Sequence, residues 1–228
     1  MVNLSKTFVI SLGGSVIIPD EPDKVFLNAF RDLILDYSSK GNKFVIFCGG
    51  GKTAREYQNY AKAIGIVSKD NLDWIGIYAT RLNASLVKAI FEGSVNEDIL
   101  TNPTEKIVFK ENIKIASGWK PGWSTDYDAV LVAKQLKAKS VINITNVDFV
   151  YDKDPRKFPD AKAIKKICWK ELRKMFPHEW KPGLNSPFDP VASKEAEKSE
   201  IEVCIAGKDL KNLRRILDGK EFSGTRIK

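Results

Sequence analysis

Only three cysteines occur in the 228 residues, Cys48, Cys168 and Cys204, and they stand far apart. With no C-x-x-C pair, a disulfide framework or a structural zinc site is not expected, and a reducing, cytoplasmic setting fits best. His178 is the single histidine. Chemistry that needs a cluster of histidine ligands is therefore excluded, and no G-x-S-x-G elbow is present to support a Ser-His-Asp hydrolase; His178 reads as a loop residue. No run of about 18 uninterrupted apolar residues exists, which excludes a membrane-spanning helix. Met1 to Lys6 lead straight into a strand-like segment, without the apolar region and small-residue cleavage site of a secretory signal.

What is present is ordinary globular material: 43% apolar, 29% charged and 10% aromatic residues. Disorder, collagen and coiled coil fit such a composition poorly. The formal net charge is +8, from 37 Lys and Arg against 29 Asp and Glu. A basic chain suits nucleic acid, an anionic surface or small phosphorylated ligands, and charge alone does not choose among them. The length allows one or two domains.

Along the chain, β-type and α-type patterns alternate. Thr7 to Leu12, Lys43 to Phe47, Val141 to Thr145 and Ile201 to Ala206 are short apolar runs rich in β-branched residues, the mark of buried strands. Ile107 to Phe109 and Ile113 to Ala116 read as shorter strands. Between them, apolar residues recur at helical spacing: Val25 to Tyr37, Lys52 to Ile64, a long helix after Ser68 as N-cap, and Ser124 to about Ala138. Trp169 to Phe176, a helix starting at Asp189-Pro190, and Asp209 to Asp218 complete the set. Pro177 to Pro187, with three prolines and Gly183, is a loop or lid. Strands alternating with helices predict a three-layer α/β/α sandwich around a largely parallel sheet, in a single domain of residues 1–228.

Two strands in succession end in glycine clusters, Gly13-Gly14-Ser15 and Gly49-Gly50-Gly51. Glycine at a strand's carboxyl end lets the backbone approach a ligand, and the following helix offers free N–H groups to phosphate; tight strand–helix turns are the alternative. A P-loop is rejected because Ile46 stands where its first glycine belongs. Gly49-x-Gly51-x-x-Ala54, with Asp70 and Asp73 about twenty residues on, also fits a dinucleotide fingerprint, although it lies in the second β-α unit and leaves later motifs unexplained. Lys52 and Arg55 occupy the first turn after the triple glycine, to hold phosphate or to face solvent. Ser124-Thr125-Asp126 opens a helix after a Gly/Pro loop. There Asp126 either complements the helix dipole or orients cations around a transferring phosphoryl group. Asp128 has the weaker claim, as a surface or first-turn acid. The segment Thr145 to Pro155 is a polar, aromatic loop at a strand's carboxyl end, where α/β sheets bind ligands, or else a charged surface hairpin.

The motifs in order, strand-LGGS, strand-GGGKxxR, DxxGxxxTRxNA, PGxSTD, TNVDxVYxKDP and DPxAxK, resemble the amino acid kinase superfamily. Within it they resemble the UMP kinases, most closely their short archaeal-type branch, over a span from about Val9 to Gly224-Thr225. The resemblance implies the α/β/α fold of that family, phosphorylation of UMP by ATP with Mg²⁺, and a homo-oligomer, typically a hexamer built as three dimers. It implies an acceptor lobe over roughly 1–138 and an ATP lobe over roughly 139–228, with no nucleic-acid or membrane partner. By the same resemblance Gly13, Gly14 and Ser15 lie near the transferred phosphoryl group. Gly50, Gly51 and Arg55 hold the UMP phosphate, Asp73 meets the ribose hydroxyls, and Thr80, Gly118 and Thr125 line the acceptor site. Asn146, Val147, Tyr151, Asp154 and Pro155 match the ATP loop, with Tyr151 near the adenine. Asp126, Lys194, Lys52 and Gly14 form the candidate catalytic set, and no protein-held metal is assigned.

The chain departs from the pattern at four positions. Ser11 stands where many members carry the lysine that neutralises the transferred phosphoryl group, which leaves Lys52, Arg55, Lys120 and Lys194 as substitutes. Asn146 replaces a second lysine of several relatives, Trp119 a small polar residue, and Phe149 the usual glycine of the ATP loop. Competing readings are a relative acting on isopentenyl phosphate, carbamate, acetylglutamate or another nucleoside monophosphate, a non-catalytic nucleotide or oxyanion module, and an NAD-dependent enzyme. Trp119 and Trp123 flank Lys120 as if to stack bases, but no nucleic-acid motif accompanies them.

Overall fold

The computed structural model describes residues 5–66, 68–155, 157–175 and 187–228. His178 and the Pro177–Pro187 segment up to residue 186 lie outside the described residues.

The first half of the chain builds β1 (Thr7–Leu12), a single helical turn α1 (Gly14–Ile17), α2 (Lys24–Ser39), β2 (Lys43–Cys48), α3 (Gly51–Ala63), α4 (Lys69–Ile90) and β3 (Ile113–Ala116). The second half builds α5 (Thr125–Gln135), β4 (Ser140–Ile144), β5 (Val150–Tyr151), β6 (Ala163–Ile164), β7 (Lys166–Ile167), α6 (Trp169–Met175), α7 (Pro190–Lys198), β8 (Glu202–Ala206), α8 (Leu210–Leu217) and β9 (Thr225–Ile227). One sheet runs in the order β3-β2-β1-β4-β8-β9-β7. Its pairings are parallel except β8 with β9, while β5 and β6 form a separate antiparallel pair.

Alternation along the strands separates two cores. Ile10, Leu12, Phe44 and Ile46 face α2, α4 and α8, whereas Val9, Val45 and Phe47 face α5, α6 and α7. Both faces being covered explains why β1 and β2 read as continuous apolar runs rather than alternating ones. Ser11 interrupts the run on the second face. It pairs in register with Asn143 on β4, so two polar side chains sit side by side beneath α5.

Chain order reverses at β1, which lies between β2 and β4. The crevice beyond the carboxyl ends of strands at such a switch point is where open α/β sheets bind ligands. The glycine clusters, the start of α5 and the loop after β4 all converge there.

Two expectations are corrected. Ile107 to Phe109 is not a strand: the Ile107 N–H goes to the Gln135 side chain at 2.8 Å instead of a ladder, and both apolar side chains pack against the second core. The helix begun at Thr125 stops at Gln135, because Lys137 turns to a positive φ of 53° and Ala138 N–H closes back onto the Ala133 carbonyl. The sheet also gains an antiparallel strand, β9, from a terminus whose three-residue run carries too little pattern to read.

Candidate active site

The two glycine loops are built against each other. Gly13 N–H donates to the Ile144 carbonyl at 2.8 Å and Gly49 N–H to Leu12 at 2.9 Å, tying together the ends of β1, β2 and β4. A Cβ on Gly14 would lie 2.2 Å from the Gly51 nitrogen and 2.5 Å from the Gly49 oxygen, and Gly51 itself has a φ of +60°. Close main-chain packing therefore accounts for these glycines. The phosphate reading rests instead on the start of α3, where the N-cap Gly50 offers no side-chain cap and no acid stands in the first turn. The amides there are left for an anion from outside the helix.

Beside these loops a pocket is lined by Gly50, Gly51, Arg55, Asp73, Thr80, Gly118 and Thr125, together with Ala54, Gln58, Gly76, Ile77, Trp123 and Ser124. The first seven are the residues the resemblance assigns to the acceptor. Buried side chains of α3 and α4 hold the surrounding backbone. Asn83 donates to the carbonyls of Gly49 at 2.7 Å and Gly50 at 3.3 Å. Gln58 donates to Leu72 at 2.8 Å. The Thr80 hydroxyl donates to Ile77 at 2.6 Å and accepts the Gly118 N–H at 2.8 Å. Asp73 accepts the Gly122 N–H through Oδ2 at 2.8 Å, and its buried Oδ1 has no partner among the described residues. Burial raises the Asp73 carboxyl above its usual range, with the Gly122 N–H pulling it down. Trp123, which lines the pocket, stacks on Tyr127 at 4.2 Å and on Trp119 at 6.4 Å between centroids, and the Lys120 ammonium lies 3.9 Å from the centre of the Trp119 ring.

At the start of α5, three carboxyls gather. Asp126 accepts the Ser11 hydroxyl at 2.9 Å and the Asn143 amide at 3.4 Å on Oδ1, and the Asp189 N–H at 3.3 Å on Oδ2. Burial, reinforced by the Asp189 carboxylate, raises Asp126 to about 7, against the hydrogen bonds from Ser11 and Asp189. Asp189 caps α7 through the N–H groups of Val191 and Ala192 at 2.6 and 2.7 Å, and its own carboxyl is raised by burial. Asp128, expected at or near the surface, is 0% exposed. Burial lifts its carboxyl well above the ordinary range, opposed by a bond from the Trp119 N–H.

The remaining expected residues divide. Gly14 and Ser15 adjoin the pocket through the contact with Gly51, and Gly13 packs beside Gly49. Asn146, Val147, Tyr151, Asp154 and Pro155 follow β4 on the other side of β1, with Tyr151 edge-on to Phe149 at 6.3 Å. Lys194 stands exposed on α7. Lys52 is not brought into the pocket: its ammonium pairs with Asp20 at 2.6 Å and Glu56 at 3.7 Å. Gln58, Asn83, Asn143 and the burial of Asp128 were not anticipated. Helical spacing carried the signal for two of them, since Asn83 lies four residues before the buried Val87 and Asp128 four before the buried Val132.

A family model described as the amino acid kinase family matches residues 6–207. A uridylate kinase from Thermoplasma volcanium is 36% identical over 228 residues, an alignment covering 98% of each chain. A crystal structure of uridylate kinase from Archaeoglobus fulgidus superimposes with a TM-score of 0.81 at 30% identity, covering 99% of this chain and 100% of that one. A UMP kinase structure from Bacillus anthracis, 20% identical, shares the fold with a TM-score of 0.76 over 98% of this chain and 95% of that one. The chain belongs to the amino acid kinase family.

Proposed function

We propose that this chain transfers the γ-phosphoryl group of ATP to UMP, giving ADP and UDP. The observation that carries this reading is that Gly50, Gly51, Arg55, Asp73, Thr80, Gly118 and Thr125 line one pocket, with Asp73 Oδ1, unpartnered among the described residues, as a buried acceptor for a ribose hydroxyl. A buried acceptor without a donor is costly until a ligand supplies one. The uridylate kinases similar to this chain over nearly their whole length support the same acceptor.

In the proposed reaction a phosphate oxygen of UMP attacks the γ-phosphorus, and the bond to the β,γ-bridging oxygen of ATP breaks. Catalysis of this kind is positioning and charge neutralisation. The α3 amides and Arg55 hold the acceptor phosphate, and the loop after β4 holds ATP next door, because β1 lies between β2 and β4. Asp126, fixed by Ser11, Asn143 and the Asp189 N–H, stands on the same face of the sheet. Among the described residues no group of three acidic, histidine or cysteine side chains is placed to hold a metal alone. Asp126, at the start of α5, would be the carboxylate to hold a Mg²⁺ ion brought with ATP, and the ion would supply neutralisation of phosphate charge there. Of the cations considered for the place of the family lysine, Lys52 is engaged by Asp20, which leaves Arg55, Lys120 and Lys194.

Assembly into a homo-oligomer, a hexamer of three dimers, belongs to the same proposal. It is supported by an exposed apolar face on α3 and α4 made of Tyr57, Tyr60, Ile64, Trp74, Tyr78 and Leu82. A cytoplasmic setting is supported by three free cysteines. No described helix is long and apolar enough to cross a membrane.

The deciding experiment is ADP release from ATP and Mg²⁺ with a panel of acceptors. UMP should be preferred over other nucleoside monophosphates, isopentenyl phosphate, carbamate and acetylglutamate; silence with UMP across a range of pH overturns the proposal. Ser11, with a hydroxyl where a cation is usual, favours one second reading, a nucleotide-binding module without turnover. Thermal stabilisation by ATP and UMP with no ADP formed would select it.

A further inference from the structure

We propose that Asp128 is a positioning residue that holds the Gly118–Trp123 wall of the acceptor pocket from behind. The inference rests on reading that pocket as a nucleoside monophosphate site.

The loop between β3 and α5 is held by three of its own N–H groups. Gly118 donates to the Thr80 hydroxyl at 2.8 Å, Trp119 to Asp128 Oδ2 at 3.1 Å, and Gly122 to Asp73 Oδ2 at 2.8 Å. Thr80 and Asp73 line the pocket itself, and so do Gly118 and Trp123 at the two ends of the loop. Asp128 does not line it. It sits on the buried face of α5 among Ala129, Val130, Val132 and Ala133, with the side chain fully enclosed.

A carboxyl is a poor choice for that place unless it has a task. Burying a polar group is costly where its hydrogen bonds are incomplete. Oδ1 of Asp128 is enclosed without a partner among the described residues. An alanine or valine would continue the apolar face at no such cost. A role limited to the helix dipole is met already by Asp126 in the same turn and needs no contact with the loop. What Asp128 alone contributes is the middle pin. Without it the stretch from Trp119 to Gly122, which carries the Trp119–Trp123 stack, is fastened only at its ends. The pocket wall then pays in ordering when the acceptor arrives.

The test compares Asp128→Ala with Asp128→Asn, which keeps an acceptor oxygen for the Trp119 N–H. Amide hydrogen exchange needs no ligand. In D128A the amides of Trp119 to Gly122 should lose about tenfold or more in protection while those of β1 and β4 do not change. In steady-state assays with ATP, the KM for UMP should rise about 10- to 100-fold, kcat should fall by less, and the KM for ATP should stay within about threefold. D128N should return both readouts most of the way. A purely structural role predicts the opposite split, a smaller active fraction with both KM values unchanged. The proposal is overturned if the loop amides exchange as in the parent, if the UMP KM moves no more than the ATP KM, or if D128N is as impaired as D128A. Should D128A not fold, Asp128→Ser, whose hydroxyl is too short to reach the Trp119 nitrogen, takes its place. If the parent chain releases no ADP with UMP, the functional reading falls, and hydrogen exchange alone then decides whether Asp128 holds the loop.

Discussion

The two sides of the crevice are made differently. On the proposed acceptor side, buried side chains of α4 and α5 fix the main chain: Asn83 holds the glycine loop, while Thr80, Asp73 and Asp128 hold the loop opposite. On the proposed donor side, Asn146, Asp148 and Pro155 are exposed, and β5 pairs with β6 over two residues only. There a single buried hydroxyl, Thr225, accepts the Val150 N–H at 2.8 Å and donates to the Ile164 carbonyl at 2.5 Å. A side built from enclosed polar groups discriminates, because each unmade hydrogen bond is costly. A side built from surface turns binds mainly through backbone and charge.

The contrast fails at one place, where both sides share the contact between Gly14 and Gly51, and there the largest effect is expected. Gly14→Ala puts a carbon 2.2 Å from the Gly51 nitrogen. It should cost about 3 kcal/mol or more of stability and abolish turnover with every acceptor. Thermal unfolding and ADP release check this, and an active, equally stable variant would refute the packing account. Next comes Asn83→Ala, which frees the Gly49 and Gly50 carbonyls on the acceptor side alone. About 1–3 kcal/mol is at stake, and the UMP KM should rise well beyond the ATP KM; equal changes in both would erase the contrast.

Asp126 sharpens the comparison through pH. Its carboxyl is raised from the ordinary 3.8 to about 7, so the folded chain keeps a proton that the unfolded chain releases. The stability from this group is present below about pH 4 and is lost as pH rises through 7. Asp126→Asn should therefore gain stability relative to the parent between pH 4 and 8, on the order of 2 kcal/mol at the upper end, while losing activity. Melting curves at the two pH values measure it, and a difference that does not grow with pH would contradict the burial argument. The smallest effect belongs to the donor loop's surface. Lys153→Ala breaks an exposed 2.6 Å pair with Asp160 and should change stability by less than about 0.5 kcal/mol in the same melts.

Most of the strand and helix order was legible because both faces of the sheet are covered, which makes β1, β2, β4 and β8 predominantly apolar. Ile107 to Phe109 misled because a short apolar run carries no information about its hydrogen-bond partner, and that partner is the side chain of Gln135. The glycine clusters marked the crevice, but whether they serve a ligand or each other is a matter of tertiary distance. Asp126, Asp73 and Thr80 were singled out as candidates through motif resemblance. Asp128 and Asn83 went unassigned because a polar residue on a helix's inner face looks like a surface residue until its neighbours four positions on are read as core. The pairing of Ser11 with Asn143 depends on strand register between segments more than 130 residues apart, which no local pattern encodes.

Among the described residues, the long-range hydrogen bonds of the pocket loop at 118, 119 and 122 all come from its amide groups, and that has a consequence for variation. Amides are common to every residue except proline, so the side chains at 119, 120 and 123 can be exchanged without removing those hydrogen bonds, at the cost of the Trp123–Tyr127 stack. The two glycine loops allow no such freedom, because each fills the space in which the other would have to grow. Diversification of what this crevice accepts is thus channelled into three neighbouring positions, and a small combinatorial library there would sample new acceptors while leaving the packed glycine frame untouched.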